Sequence, residues 1–358
     1  MRILVTGAAG FIGSFLCRAL ISDGHLVIGL DNFNDYYAKN CKELNVDLTR
    51  LFTDEELESY DLATLTPVLD KLQAYNKLNR NVHLYKFFDG DITNEVFLEE
   101  LFDEYKFDAV MHLAAMAGVP KSAKIPKVYS KVNIDGTVNL LDLSVKNNIK
   151  KFVFASSSSV YGNREDKKVT EEDDITKTQS VYGATKAAGE ILCHAYNKMF
   201  GLNIAVNRIF GPIYGPLQRP YGMFAQRAIN YCYNNKTIQI YGKNGLNTAK
   251  DSTYIDDQID GFIKCLNYEN STFDIFNIGT SNPQPISKWI DAIEKSFNKK
   301  LNIDIIETDK GDVVSSANID KAKKLLHYSP SIDIYDGLSR QVDIFKTMPE
   351  WYQKMAEV

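Results

Sequence analysis

An α/β architecture, a doubly wound parallel sheet with a smaller cap toward the C-terminus, is predicted by three observations. Strand and helix patterns alternate from Arg2 to about Asn207, the rhythm of parallel strands joined by crossover helices. The first strand opens into a glycine-spaced turn, Gly7-Ala-Ala-Gly10-Phe-Ile-Gly13. After Asn207 the alternation loosens into proline and glycine clusters, Gly211-Pro212 and Tyr214-Gly-Pro216. A chain of 358 residues is too long for one set of sheet and helix layers. Residues 1–207 therefore read as a Rossmann-like nucleotide-binding domain and 208–358 mainly as a substrate-binding cap, discontinuous, with some segments returning to the sheet.

The first strand, Ile3 to Val5, and the apolar helix after the turn make the start of a βαβ unit. Its glycines let the backbone approach a pyrophosphate resting on the helix N-terminus. Gly7, Gly10, Phe11, Ile12 and Gly13 are therefore assigned to a dinucleotide, although GxxGxxG is looser than GxGxxG and weak alone. The second strand, Leu26 to Leu30, ends in Asp31, and a carboxylate there accepts hydrogen bonds from the adenosine ribose hydroxyls. The same charge repels a 2′-phosphate, and no arginine stands at Asn32 or Phe33. The cofactor expected is NAD rather than NADP. A third strand, Val82 to Phe87, leads to Asp91-Ile92, and a fourth, Ala109 to Leu113, leads to Ala114-Ala115. Both strand ends should line the adenine edge and the pyrophosphate. Residues 35–80 interrupt the alternation as a charged, helix-prone insertion, with Asp54-Glu-Glu-Leu-Glu and then Val68 to Leu78. Leu65, Leu69 and Leu72 at helical spacing make it an amphipathic flap with no assigned chemistry.

Apolar residues at 44% and charged residues at 24% are ordinary globular values. A net charge of -5 and a pI near 5.7 argue against nucleic acid or a membrane surface as partner. Five cysteines, Cys17, Cys41, Cys193, Cys232 and Cys265, are scattered without a CxxC pair. That pattern suggests reduced thiols in a cytoplasm and no metal site. Met1 runs straight into a predicted core strand, so no signal peptide is expected, and no apolar run approaches the roughly 20 residues that span a bilayer.

The chemistry is placed at the fifth strand, Lys151 to Ala155, and the helix beyond it. The strand terminates in Ser156-Ser157-Ser158-Ser159-Val-Tyr-Gly162. Tyr182 and Lys186, four apart on a predicted helix, project from one face. A phenol with a reference pKa near 10 is a poor base at neutral pH. A nearby ammonium and the positive nicotinamide ring would stabilise the phenolate and lower that value, and Lys186 can also reach the nicotinamide ribose. Serine runs and Tyr-Lys pairs are each commonplace. Joined to the glycine turn and Asp31, they read as redox chemistry on a bound nicotinamide.

These motifs, from GAAGFIG through Asp31-Asn-Phe-Asn, His112-Leu-Ala-Ala, ASSSSVYG, YGATK and Asp251-Ser-Thr-Tyr-Ile-Asp-Asp257 to Gly311-Asp312-Val, resemble the extended short-chain dehydrogenases/reductases that act as nucleotide-sugar epimerases and dehydratases. The resemblance covers essentially the whole chain. Within that group it is nearest the UDP-glucuronate 4-epimerases, through Leu30-Asp-Asn-Phe-Asn-Asp-Tyr-Tyr37, Ala117-Gly-Val119 and Gly215-Pro-Leu-Gln-Arg-Pro220. It implies Tyr182 as base, Lys186 as its partner, and Ser157 bridging the phenol and the sugar C4 oxygen. Ser157, Ser158, Tyr182, Arg219, Lys250 and Asp312 become substrate-binding candidates. Gly7, Gly10, Phe11, Ile12, Gly13, Asp31, Asn32, Asp91, Ile92, Leu113, Ala114, Ala115, Tyr182 and Lys186 become NAD-binding ones.

Related 4,6-dehydratases carry Asp and Glu after the bridging serine, and decarboxylases of UDP-glucuronate keep a Glu there. Here stand Ser158 and Ser159, which do not shuttle protons between neutral and carboxylate states. What remains is hydride removal from C4, turning of the 4-keto sugar and hydride return, with no cofactor consumed and a product suited to polysaccharide biosynthesis. The chain departs from the family pattern in four places. Gly211-Pro212 replaces an Asn or Thr near the pyrophosphate. Pro120 replaces an arginine, with Lys121 beside it. Lys250 and Asp309 stand where arginines are common. The alternatives are another UDP-, GDP- or TDP-sugar 4-epimerase, a 4,6-dehydratase or simple dehydrogenase, and a non-catalytic NAD-binding regulatory protein. Surplus apolar residues from Val132 to Lys146 and from Tyr182 to Met199 suggest a homodimer.

Overall fold

Seven short apolar runs form one parallel sheet. They are β1 (Arg2–Thr6), β2 (Leu26–Asp31), β3 (Tyr85–Asp89), β4 (Ala109–His112), β5 (Lys151–Ser157), β6 (Ile204–Ile209) and β7 (Phe273–Ile278). A computed structural model describes residues 1–53, 62–76, 83–163, 168–219, 223–242, 245–307 and 316–355. The sheet order is β7-β6-β5-β4-β1-β2-β3. Its direction of winding reverses between β1 and β4, and open α/β sheets bind ligands at the carboxyl ends of such strands.

Alternate side chains on each strand point to opposite faces, and both faces are covered. On one side Ile3, Val5, Val27, Met111 and Val153 share a core with Phe15, Leu16 and Leu20 of helix α1 (Phe11–Ser22). On the other, Leu4, Ile28, Val110, Phe152 and Val206 pack with Leu98 and Phe102 of helix α4 (Glu95–Tyr105) and Leu140 of helix α5 (Gly136–Lys146). Cys193 of helix α6 (Val181–Phe200) joins that second layer. Between β4 and α5, His112 shares hydrogen bonds with Thr6 on β1 (2.8 Å) and Thr137 on α5 (2.9 Å), fully enclosed.

Local chemistry sets the helix ends. Ser180 caps α6 by accepting a hydrogen bond from the Gly183 amide (3.0 Å), and Gly201, in the left-handed region, terminates it. That cap fixes Tyr182 in the first turn. Asn94 starts α4 in the same way, accepting from the Phe97 amide.

Strand limits differ from expectation. β3 begins at Tyr85 and continues to Asp89, because it stays paired with β2 out to Asp31. β5 runs on to Ser157 against Ile209 of β6, and β4 stops at His112.

The described helices of the insertion are docked on the core and do not stand off as a flap. Helix α2 (Lys39–Leu51) lies against α1, and helix α3 (Leu62–Asn76) carries Leu65, Leu69 and Leu72 into the same core as Phe15. Lys71 and Tyr75 of α3 bond Asp343 at 2.6 Å each. The helix-prone segment Asp54 to Glu58 lies outside the described residues.

Beyond β6 the chain does return to the main layers. Helix α7 (Ile255–Leu266) packs on α1, and β7 pairs with β6 at the sheet edge. Helix α8 (Ile334–Phe345) packs between α3 and helix Ile286–Phe297. A small parallel pair, Thr237–Tyr241 with Asn302–Ile306, stands apart from the main sheet. All five cysteines are buried free thiols. Among the described residues no helix is long and apolar enough to cross a membrane.

Candidate active site

A cavity of about 440 Å³ opens along the carboxyl ends of β1, β2, β4 and β5. Its first wall is backbone. Gly7 (φ +76°) turns the chain after β1, and a Cβ there would sit 2.9 Å from the Ala114 nitrogen. A Cβ on Gly13 would lie 2.1 Å from the Gly7 carbonyl oxygen. These two close approaches admit only glycine. They hold the start of α1, which has no side-chain cap, against the cavity along Gly10, Phe11, Ile12 and Gly13. Unsatisfied amides at a helix N-terminus suit a pyrophosphate.

Asp31, Asn32, Ile92, Leu113, Ala114 and Ala115 continue this wall. The Asp31 Oδ1 accepts from the Phe33 amide (3.0 Å) and from Lys42 Nζ (3.1 Å). Lys42 belongs to α2, and its neighbour Asn45 donates to the Ala9 carbonyl (2.9 Å) inside the glycine turn. The insertion thus braces the glycine turn and Asp31. Asp91 is not part of the lining. It accepts from Asn32 (2.8 Å) and from the Thr93 amide and hydroxyl, and these bonds hold its carboxyl below the usual value against the cost of burial.

The second wall holds the titratable groups. Ser157, Ser158, Ser159, Tyr182 and Lys186 line it together. Ser157 lies within hydrogen-bonding reach of the Tyr182 phenol, and its Oγ also receives the Ser159 amide (3.2 Å). Burial pushes the phenol above its ordinary value, while Ser157 and the charge of Arg219 pull it back. Lys186 lines the same wall. Its ammonium donates to the Ala155 carbonyl (2.7 Å), and burial lowers it to about 8.

Arg219 reaches the cavity from the loop after β6, with Gly211, Pro212, Gln218 and Met223. Its guanidinium lies 4.9 Å from the ring centre of Tyr36. Its Nε is buried with no hydrogen-bond partner among the described residues. Lys250 is not brought to the site: it is exposed on a two-residue strand paired with Gln284. The adjacent Asp251 turns inward and accepts from the amides of Thr280, Ser281 and Ala317. Asp312 and Asp309 lie outside the described residues.

Several contributors were missed. Asn133, in a wide helical turn (Lys131–Asp135), accepts from the Met116 amide (2.7 Å) and donates to Thr185 (2.9 Å), tying the loop after β4 to α6. Glu190, one turn beyond Lys186, accepts from Ser156 (2.5 Å) and from Arg208 of β6 through both oxygens. Arg208 also donates to Tyr161 (2.7 Å), which donates to Asn277 of β7 (2.6 Å). This enclosed network fixes the serine loop. Only the charged residues within apolar strand and helix patterns hinted at it. For Lys42 and Tyr36, neighbours of the Asp31 motif, no spacing rule pointed inward.

The profile of the NAD dependent epimerase/dehydratase family matches residues 3–279. A UDP-glucuronate 4-epimerase of Thermodesulfobacterium geofontis is 37% identical over 342 residues, 95% of this chain and 94% of that protein. UDP-glucuronate 4-epimerase 1 of Arabidopsis thaliana is 34% identical, covering 96% of this chain and 76% of that one. The crystal structure of the Bacillus cereus UDP-glucuronic acid 4-epimerase with UDP-glucuronic acid and NAD superposes with a TM-score of 0.80 at 33% identity, over 97% of this chain and 99% of that chain. A Thermotoga maritima UDP-glucose 4-epimerase with UDP-glucose gives 0.76 at 28% identity over the same shares.

Proposed function

The chain belongs to the NAD dependent epimerase/dehydratase family, and from that premise we propose that it interconverts UDP-glucuronate and UDP-galacturonate by NAD-dependent 4-epimerisation. The observation that carries the reading is Arg219, a guanidinium at the Tyr182 end of the cavity whose buried Nε has no hydrogen-bond partner among the described residues. A sugar carboxylate held there would otherwise be desolvated without a counter-charge, at a cost of several kcal/mol.

The residues present fit NAD. The glycine approaches leave room for a pyrophosphate on the α1 amides, and Asp31 offers its carboxylate where an adenosine ribose would lie. When bound, NAD supplies the acceptor and the donor for the C4 hydride. Tyr182 takes the proton from the C4 hydroxyl and later returns it. Ser157 bridges the phenol and the C4 oxygen, keeping both within proton-transfer reach. Lys186, which donates to the Ala155 carbonyl, would hold the nicotinamide ribose. Ser158 and Ser159 offer hydroxyls to the sugar and no carboxylate to eliminate water. Arg219 clamps the C5 carboxylate out of line with the C4 carbonyl, so the sugar can turn without losing carbon dioxide.

The division into a cofactor domain (1–207) and a substrate cap (208–358) belongs to this reading, supported by the loop that brings Arg219 over the sheet. So does a homodimer through α6, where Ile191, Met199 and Phe200 are exposed. A cytoplasmic enzyme of polysaccharide biosynthesis, with its thiols reduced, completes it.

The test is incubation with UDP-glucuronate, UDP-glucose and GDP-sugars without added NAD, followed by NMR of the products. UDP-galacturonate as the main product is expected. Faster turnover of UDP-glucose would overturn the uronate assignment, and a UDP-pentose as main product would make the enzyme a decarboxylase.

A further inference from the structure

Tyr36 belongs to the loop that follows Asp31, at the far end of the cavity wall from Tyr182 in sequence, yet its ring reaches the sugar side. Its hydroxyl abuts Gly118, where an added Cβ would meet it at 2.2 Å. Gly118 is itself held by Tyr129, whose hydroxyl donates to the Gly118 carbonyl (3.0 Å) and to that of Ala117. Two cations rest on the Tyr36 ring, the Arg219 guanidinium at 4.9 Å and the Lys121 ammonium at 5.1 Å. Lys121 is also 3.8 Å from Asp35, the residue before Tyr36. Arg219 makes no ion pair among the described residues.

A long guanidinium side chain with no carboxylate of its own would sample many rotamers, and ordering each one on binding costs free energy. An aromatic face restrains it without neutralising it. We infer that Tyr36 is the positioning residue for Arg219, holding the guanidinium by its face so that its nitrogens stay free for the substrate carboxylate, and thereby sets the preference for uronates. The loop carrying Asp31 would then serve both ends of the cavity, the cofactor ribose through its first residue and the sugar through Tyr36. The inference rests on the proposed role of Arg219.

The test compares Tyr36→Leu, Tyr36→Phe and Arg219→Met, alone and with Tyr36→Leu and Arg219→Met combined. Each is assayed for KM and kcat with UDP-glucuronate and for inhibition by UDP-glucose, with bound NAD as the check of folding. Tyr36→Leu should lower kcat/KM by about tenfold, chiefly through KM, as expected for losing a desolvated cation–π contact. Tyr36→Phe keeps the ring and should stay within about twofold on the same grounds. Inhibition by UDP-glucose, whose sugar carries no carboxylate, should be unchanged in both. In the Arg219→Met background the leucine should cost nothing further. Independent, additive losses in the double variant, or a Phe variant as poor as the Leu variant, would overturn the inference. If Arg219→Met alone keeps wild-type kcat/KM, the uronate clamp is wrong and this inference falls with it. If only the Tyr36 variants are silent, the clamp stands and the positioning role falls.

Discussion

The two ends of the cavity are built from different materials. At the Gly7 end the surface is main chain: a turn, the open amides of α1 and the small residues after β4, all anchored by paired strands. At the Arg219 end it is side chain: a phenol, hydroxyls and a guanidinium, several of them on loops from distant parts of the sequence. Main-chain surface cannot be changed without moving the fold, whereas side-chain surface changes by single substitutions. A family can therefore keep one cofactor while its sugar varies, and variants at the two ends should fail in different ways.

Tyr182→Phe should show the largest effect. Removing the proton acceptor should cut kcat by about a thousandfold or more while NAD stays bound, measured by turnover and by NAD released on denaturation. A variant above a tenth of the wild-type rate would separate Tyr182 from the chemistry. Next, Gly13→Ala places a methyl against the Gly7 carbonyl at 2.1 Å. The purified protein should then emerge without NAD, its loss of activity partly restored by excess cofactor. Full NAD occupancy in that variant would show that the cofactor end is more adaptable than its geometry implies.

Arg219→Met should lower kcat/KM for UDP-glucuronate by about 100-fold, the worth of a charge-assisted pair of about 3 kcal/mol. NAD content should be unchanged. Loss of NAD as well would mean that the two ends are not separable. The smallest effect is expected at Asp31. Its substitution by Ala should narrow the preference for NAD over NADP by about tenfold, leaving Lys42 facing the ribose without its partner. Equal affinity for both cofactors in the wild type would remove Asp31 from the ribose role.

The same contrast explains what could be read in advance. The glycine turn, Asp31 and the Tyr182-Lys186 spacing are constraints between near neighbours in sequence, so their place in one cavity lining was legible. Ser157 and Arg219 came through the family resemblance, and both line the cavity. Lys250 did not follow: it ends its short strand exposed, and the residue after it, Asp251, is the one that turns inward to hold the buried bonds. The docking of α2 and α3 was hidden because their apolar faces show amphipathicity but not its target. The Glu190–Arg208 pair was hidden because charges inside buried segments find partners only in three dimensions.

His112, enclosed between Thr6 and Thr137, carries a consequence for acid tolerance. Burial lowers its proton affinity from a pKa of 6.5 to about 3, so the folded chain keeps the ring neutral where the unfolded chain would protonate it. The folded value is the lower one. Stability from this site is therefore complete above the unfolded value of 6.5 and drains away as pH falls toward 3, by up to about 1.4 kcal/mol per pH unit. Thermal unfolding followed from pH 7 to pH 4 should show the melting temperature falling as pH drops below 6.5, and the fall should be smaller in a His112→Gln variant. Because the ring ties the two central strands to α5, the protonated chain should lose the centre of its sheet before its edges.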